Sequence, residues 1–150
     1  MITSVKRILI RWGRVAVAKV SGRLYVLAAG LFVISVVIQI LFAGMGIFSD
    51  STYLYNHIVF VRFMEIFPIL MLILSFMGRL PKLFRWMSVL LFLMIYAQYM
   101  TANIPEVGAV HPVIAAILFS VAVTTALRAA RVVFPGKEGR ILKAGGADSQ

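Results

Sequence analysis

Four long apolar stretches dominate the chain, and each approaches the roughly 20 residues that a helix needs to cross a bilayer. They cover about residues 24–48, 55–77, 86–104 and 110–133. The segments between them are short and polar. This pattern predicts an all-α membrane protein, a bundle of four transmembrane helices.

The first 23 residues follow a different pattern. Apolar side chains recur there at three- and four-residue steps, with Lys and Arg between them. This spacing predicts a basic amphipathic helix over residues 1–23, which either lies in the headgroup layer or docks on a neighbouring subunit. The transmembrane bundle then covers residues 24–134. Pro135 and Gly136 end the last helix, and residues 135–150 are expected to form a flexible cytoplasmic tail.

The charged residues set the predicted orientation. The chain has 15 Lys and Arg against 5 Asp and Glu. Fourteen of the basic residues precede the first span, lie between the second and third, or lie in the last turns of the fourth span and after it; Arg62 is the exception. The positive-inside rule therefore predicts a multi-pass protein of the cell inner membrane with both termini in the cytoplasm. Because the cations flank apolar spans, their expected partner is the lipid surface and not nucleic acid.

The composition also excludes several kinds of site. The chain has no cysteine, which rules out disulfides, zinc–thiolate sites, iron–sulfur clusters and thioether-attached haem. No nucleophile–base set, phosphate-binding loop or hydrolase metal motif is present, so a complete enzyme is not expected.

The two pairs of spans share an order of polar residues. Gln39 lies near the end of the first span and is followed, after a short loop, by His57 at the start of the second. Gln98 and His111 repeat that order in the third and fourth spans, and the chain has only these two histidines. The repeat predicts two parallel helical hairpins related by a pseudo-two-fold axis along the membrane normal.

Two histidines at matching positions are expected to face each other at similar depth on diagonal helices. Neutral imidazole binds iron in porphyrins, and bundle cores commonly hold cofactors. His57 and His111 are therefore the predicted axial ligands of one haem b, and Gln39 and Gln98 are expected to hydrogen-bond an imidazole or a propionate. The residues expected to leave room for the ring or to line its faces are Gly44, Gly46, Phe60, Met64, Phe67, Ala115, Ala122 and Ala126.

Two charged residues interrupt the second span. Arg62 and Glu65 are one helical turn apart, so they are expected either to neutralise each other or to serve the cofactor, with Arg62 at a propionate or Glu65 in a proton relay. Pro68 is expected to kink the helix and free a backbone carbonyl nearby.

Several alternatives remain open from the residues alone. The histidines could be interfacial anchors of a structural subunit without a cofactor, or each could hold a chlorophyll-type pigment. Zinc is less favoured because it usually takes four ligands. A transporter with Arg62 and Glu65 on its path is the weakest alternative, since four spans enclose only a thin pore. In each case partner subunits or a homo-oligomer are expected.

Two segments carry a family resemblance. Residues 38–48, "IQILFAGMGIF", and residues 96–119, "YAQYMTANIPEVGAVHPVIAAILF", with His57 between them, resemble a family of uncharacterised small four-helix membrane proteins of prokaryotes. More remotely, each hairpin resembles one half of haem A synthase, a family whose four-helix halves hold haem between histidines near the outer face. The resemblance implies haem ligation by His57 and His111. The cysteine pair and the acidic outer-loop chemistry of that family have no counterpart here, so the synthase activity is not implied.

Overall fold

The computed structural model describes residues 2–136, with side chains from residue 11 onward. It is all-helical. The helices are α1 (Ile2–Phe48), α2 (Thr52–Met64), α3 (Ile66–Met77), α4 (Lys82–Asn103) and α5 (His111–Val133), and a 3₁₀ helix (Pro105–Val110) precedes α5. Four segments are long and apolar enough to cross a membrane: Arg11–Phe48, Thr52–Met77, Lys82–Asn103 and Pro105–Val133. The predicted four-helix membrane protein is confirmed at this level, while most of the predicted tail lies outside the described residues.

The N-terminal segment and the first span form one helix. α1 continues through residues 23 and 24, where the sequence pattern placed a boundary. At about 1.5 Å per residue it is roughly 70 Å long, more than twice the hydrocarbon thickness of a bilayer. Residues 11–17 are all exposed, and burial begins at Ser21 and Gly22. The boundary near residue 23 therefore marks where packing against the bundle begins, and the helix itself does not break there.

Prolines set several of the helix boundaries. Pro112 occupies the first turn of α5, where its missing N–H costs no helical hydrogen bond. α5 ends at Val133, and Phe134 takes a non-helical conformation before Pro135. Pro68 cannot donate a hydrogen bond to the carbonyl of Met64, and the second span is interrupted at Glu65, between α2 and α3. The sequence predicts a kink at Pro68, and the helix assignment changes one turn before it.

The four spans, with α2 and α3 together forming the second, form a ring in which each span contacts two neighbours. α1 packs against α3 and α5, and α4 packs against the same two helices from the opposite side. α2 approaches α1 closely, but no Cα atom of α2 comes close to α4 or α5. The bundle is therefore closed in the half that contains α3 and open between α2 and α4 in the other half. We call this open half, with the α1–α2 turn and the 3₁₀ helix, the histidine end, and the opposite half, with the turn at residues 78–81, the basic end.

The buried positions of the two hairpins correspond. Four buried positions of α1 recur as buried positions of α4, each 59 residues later: Tyr25 with Phe84, Ala29 with Ser88, Phe32 with Leu91, and Val36 with Ile95. Four buried positions of the second span recur in α5 at one constant, shorter separation: Met64 with Leu118, Pro68 with Ala122, Met71 with Thr125, and Ser75 with Ala129. Both hairpins thus present the same register of side chains to the core.

At the basic end, a tyrosine joins the diagonal helices α1 and α4. The rings of Tyr25 and Phe84 meet edge to face with centroids 5.7 Å apart. The Tyr25 hydroxyl donates to the Phe84 carbonyl at 3.2 Å and lies 3.2 Å from the Ser88 hydroxyl. A buried hydroxyl needs such partners, and here they fill the centre of the bundle.

Candidate cofactor site at the histidine end

The two histidines meet across the other diagonal of the bundle. His57 lies in the second turn of α2 and His111 opens α5, on the two helices that do not contact each other through their backbones. Their ring centroids are nevertheless 6.3 Å apart, with an angle of 57° between the ring planes. The structure thus brings together the two residues predicted as ligands.

Each imidazole is oriented by the glutamine of its own hairpin. His57 Nδ1 lies 3.0 Å from the backbone carbonyl oxygen of Gln39. His111 Nδ1 lies 3.2 Å from the backbone carbonyl oxygen of Gln98. A carbonyl only accepts hydrogen bonds, so a hydrogen bond to it requires the proton on Nδ1, and a neutral imidazole in this tautomer keeps a lone pair on Nε2. The same contact recurs at corresponding positions of both hairpins.

The glutamines act through different atoms than the sequence predicted. The imidazoles bond to their main-chain carbonyls, while side-chain amides were expected. The Gln98 side-chain amide is satisfied when its oxygen and nitrogen change places. In that orientation Nε2 donates to the His111 carbonyl at 3.0 Å, and Oε1 accepts from the Ala115 N–H at 3.0 Å. Ala115 therefore belongs to the site through its backbone. Both glutamines thus contact the histidines, through main-chain oxygens, while their role toward a cofactor stays a prediction.

The side chain of Gln39 has no such partners. The residue is 7% exposed, and its Oε1 is buried without a hydrogen-bond partner. An unsatisfied buried oxygen costs about 1–3 kcal/mol, which a native structure normally avoids. A group that donates to this oxygen, placed beside His57, would remove that cost.

The spacing of the two rings can be compared with that of a metal-bound pair. No Cα atom of α2 lies within 8 Å of one in α4, and a Cβ atom added to Gly44 would meet nothing within 4 Å. Two imidazoles that bind one metal from opposite sides have centroids about 6 Å apart, since each metal–nitrogen bond is about 2 Å. The observed 6.3 Å spacing fits that arrangement.

Some residues expected to line a macrocycle pack elsewhere. Phe60 meets Phe42 edge to face, with centroids 5.7 Å apart, and Phe67 lies beside Phe32 at 6.5 Å. Both aromatic side chains therefore pack on α1. Three further members of that set have other contacts: Met64 and Ala122 are buried in the core cluster, and Ala126 packs against it. Gly46 accommodates Leu54, because a Cβ at this position would lie 2.5 Å from Leu54 Cδ2.

Glu65 has a partner on another helix. The Tyr99 hydroxyl of α4 donates to Glu65 Oε2 at 3.1 Å. Because Glu65 lies between α2 and α3, this hydrogen bond connects α4 to the second span. Arg62, the partner suggested by the sequence, has an exposed side chain. The contact crosses the open side of the bundle, where the backbones of α2 and α4 do not meet.

Sequence reasoning missed two residues of this site. Thr101 Oγ1 lies 3.2 Å from His111 Nδ1 and donates to the Ala97 carbonyl at 3.0 Å. Its position one turn after Gln98 was a usable signal, because residues three apart share a helix face. Tyr99 carried no comparable signal, since its partner lies in another helix.

The donor atoms limit the metals that this site suits. Among the side chains described, those of residues 11–136, no group of three or more His, Cys, Asp or Glu is placed to hold a metal ion. A zinc ion usually takes four protein or solvent ligands. A porphyrin supplies four nitrogens of its own and requires only two axial ligands, which is the number offered here.

The comparisons with known proteins give one family. A model described as "Family of unknown function (DUF6220)" matches residues 39–104. The matched stretch begins at Gln39 and includes His57, Glu65 and Gln98, while His111 lies beyond it. The chain is similar to this family over that stretch. No curated protein and no solved structure matches the chain.

The hydrogen bond between Tyr99 and Glu65 predicts a measurable coupling. A double-mutant cycle of Glu65→Met and Tyr99→Phe measures this coupling. We expect the double variant to lose about 1–2 kcal/mol less free energy of unfolding than the two single variants lose together. The reason is that each single change leaves one partly buried polar partner unsatisfied. Unfolding of the purified protein in detergent measures these values.

The matched cycle uses Arg62→Met with Glu65→Met. Its coupling is expected to stay below about 0.5 kcal/mol, because the exposed arginine is not the hydrogen-bond donor. A coupling to Arg62 that exceeds the coupling to Tyr99 would contradict this assignment.

Proposed function

We propose that this protein is a membrane b-type cytochrome, or the haem-bearing subunit of a membrane redox complex, with one haem b between His57 and His111. The observation that carries the proposal is the pair of imidazoles 6.3 Å apart, each bonded through Nδ1 to a backbone carbonyl of its own hairpin. Metal-binding histidines usually donate their other ring nitrogen in this way. Haem bound at this position supplies one-electron transfer.

The hydrogen bonds prepare the histidines as ligands. Donation from Nδ1 fixes the tautomer and restrains rotation of the ring. Because both axial positions would be occupied by protein nitrogens, the site supports transfer of electrons and not binding of oxygen. Gln39 Oε1, buried and unpartnered, is the side-chain atom available to a protonated propionate or an ordered water beside the ring.

The spacing favours one ring over two. Two chlorophyll-type pigments, each with one imidazole ligand, would have to stack between the histidines. Stacked planes are separated by about 3.5 Å, so the imidazole centroids would then be about 10 Å apart. The 6.3 Å spacing accommodates a single plane.

The duplicated hairpin completes the proposal. The recurrence of buried positions 59 residues apart and the matching His–Gln contacts support two parallel hairpins about a pseudo-two-fold axis. The axis would pass between the imidazoles. Together with the distribution of Lys and Arg, the pseudo-symmetry supports an orientation with both termini in the cytoplasm and the histidines near the outer face of the inner membrane. Partner subunits or a second copy would complete the redox chain.

Absorption spectroscopy of the purified protein tests the proposal. We expect an intense haem band, with sharp visible bands after reduction by dithionite, as for a low-spin six-coordinate iron. Carbon monoxide should barely change the reduced spectrum, because no coordination position is open. Protein expressed with a haem precursor and purified without any haem band would refute the cytochrome and leave a structural subunit as the better account.

A further inference from the structure

A cavity of about 560 Å³ lies at the basic end, on the side of the bundle opposite the histidines. It is bounded by α1, by the turn between α3 and α4, and by the last turn of α5. Four cationic side chains line it, and all four are exposed: Arg14, Lys19, Arg23 and Arg79. The remaining wall is mainly apolar and includes Val15, Leu80, Pro81, Val132 and Val133.

Two glycines bring these cations together. A Cβ added to Gly78 would lie 3.0 Å from the Gly22 nitrogen and 3.3 Å from the Gly22 Cα, so the end of α3 contacts the backbone of α1 directly. This close approach places Arg79 beside the α1 positions of Lys19 and Arg23. Gly22 is itself buried against Val133 of α5, which closes the third side.

Arg79 occupies an unfavourable backbone conformation. Its φ of 50° is the only positive φ at a non-glycine position in the described part of the chain. Glycine is the usual residue for this conformation, and other side chains pay a steric cost there. A side chain retained despite strain suggests a role for its charge at that position.

No acidic residue among those described balances this cluster. The lining contains no Asp or Glu. The described acidic residues lie elsewhere: Asp50 and Glu106 are at the histidine end, and Glu65 lies between α2 and α3. Four neighbouring cations repel one another, and a bound anion would reduce that repulsion. Because the wall combines cations with valines and leucine, the anion that fits carries an apolar chain.

We propose that this cavity binds the phosphate of an anionic phospholipid, with the cations at the headgroup and the α1–α5 wall along the first carbons of an acyl chain. Basic pockets between transmembrane helices suit such headgroups. The proposal is independent of the haem, which would lie at the other end of the bundle.

Native mass spectrometry of the full-length protein in dodecyl maltoside tests it, with phosphatidylglycerol, phosphatidylcholine and inorganic phosphate as separate probes. The test variant is Lys19→Gln with Arg79→Gly. The control variant is Lys82→Gln with Arg128→Gln, which removes the same charge from exposed residues outside the cavity. We expect the affinity for phosphatidylglycerol to fall about 10-fold in the test variant and less than about 3-fold in the control.

The single variant Arg79→Gly separates binding from folding. Glycine relieves the positive φ, so its melting temperature without lipid should be equal to or above that of the wild type, while its affinity for phosphatidylglycerol falls. Equal losses in the test and control variants would show only general attraction to the basic surface and overturn the proposal. Tight binding of inorganic phosphate that displaces the lipid would overturn the lipid assignment in favour of a soluble anion.

Discussion

If His57 and His111 hold one haem as proposed, substitution of either histidine by alanine should abolish or strongly deplete that haem while leaving the fold intact. The two rings face each other across helices whose backbones do not touch, so neither can substitute for the other. Loss of one imidazole leaves a five-coordinate iron, and any residual haem should then bind carbon monoxide readily. The ratio of haem absorbance to protein absorbance, with and without carbon monoxide, measures both effects.

Two further samples sharpen this experiment. Asn56→Ala, next to His57 in α2, removes a polar side chain at the same depth and should retain haem at the wild-type level. Imidazole added to His57→Ala should restore part of the haem and suppress carbon monoxide binding, because it occupies the vacated ligand position. If both alanine variants retain full haem without new reactivity towards carbon monoxide, the iron is bound elsewhere and the assigned ligands are wrong.

The contact between α1 and α3 predicts opposite effects for two glycine-to-alanine substitutions. At Gly78, the new Cβ would lie 2.9 Å from the Leu74 carbonyl oxygen and 3.0 Å from the Gly22 nitrogen. Both neighbours are backbone atoms that cannot move aside cheaply. Gly78→Ala should therefore lower the free energy of unfolding by about 1–3 kcal/mol.

Gly30→Ala is the matched control. Gly30 lies inside α1, and an added Cβ there meets nothing within 4 Å. Alanine in a helix interior is favoured over glycine by about 1 kcal/mol, so this variant should be equally or more stable than the wild type. Thermal unfolding of both variants in the same detergent measures the difference. A Gly78→Ala variant as stable as Gly30→Ala would show that the helices do not approach as closely as described.

Much of the architecture could be predicted from local patterns. The second, third and fourth apolar stretches agree with the spans within a few residues, whereas the first span begins at Arg11, well before the predicted start near residue 24. The helix assignment in the second span changes at Glu65, one turn before Pro68, where the sequence predicts a kink. The repeated order of glutamine and histidine in the two hairpins was likewise visible in the sequence, with hydrogen bonding to an imidazole as one of the roles expected for Gln39 and Gln98. These features depend on the length, composition and periodicity of single segments.

The change of sequence pattern near residue 23 does not coincide with a helix end. The change from basic amphipathic to apolar sequence is real, yet α1 continues through it. No proline or glycine cluster stops the helix there, so the change in composition alters only what surrounds the helix.

Contacts between helices required the tertiary structure. The choice of Tyr99 as the partner of Glu65, and of backbone carbonyls as the partners of the imidazoles, depends on the rotation and relative height of neighbouring helices. The basic cavity likewise exists only because Gly22 and Gly78 let two backbones touch.

The sequence by itself determined four apolar helices, their breaks and the repeated order of polar residues, because hydropathy and proline act within one segment. Tertiary packing alone decided which atoms meet, because the position of one helix against another is set by many weak side-chain contacts at once.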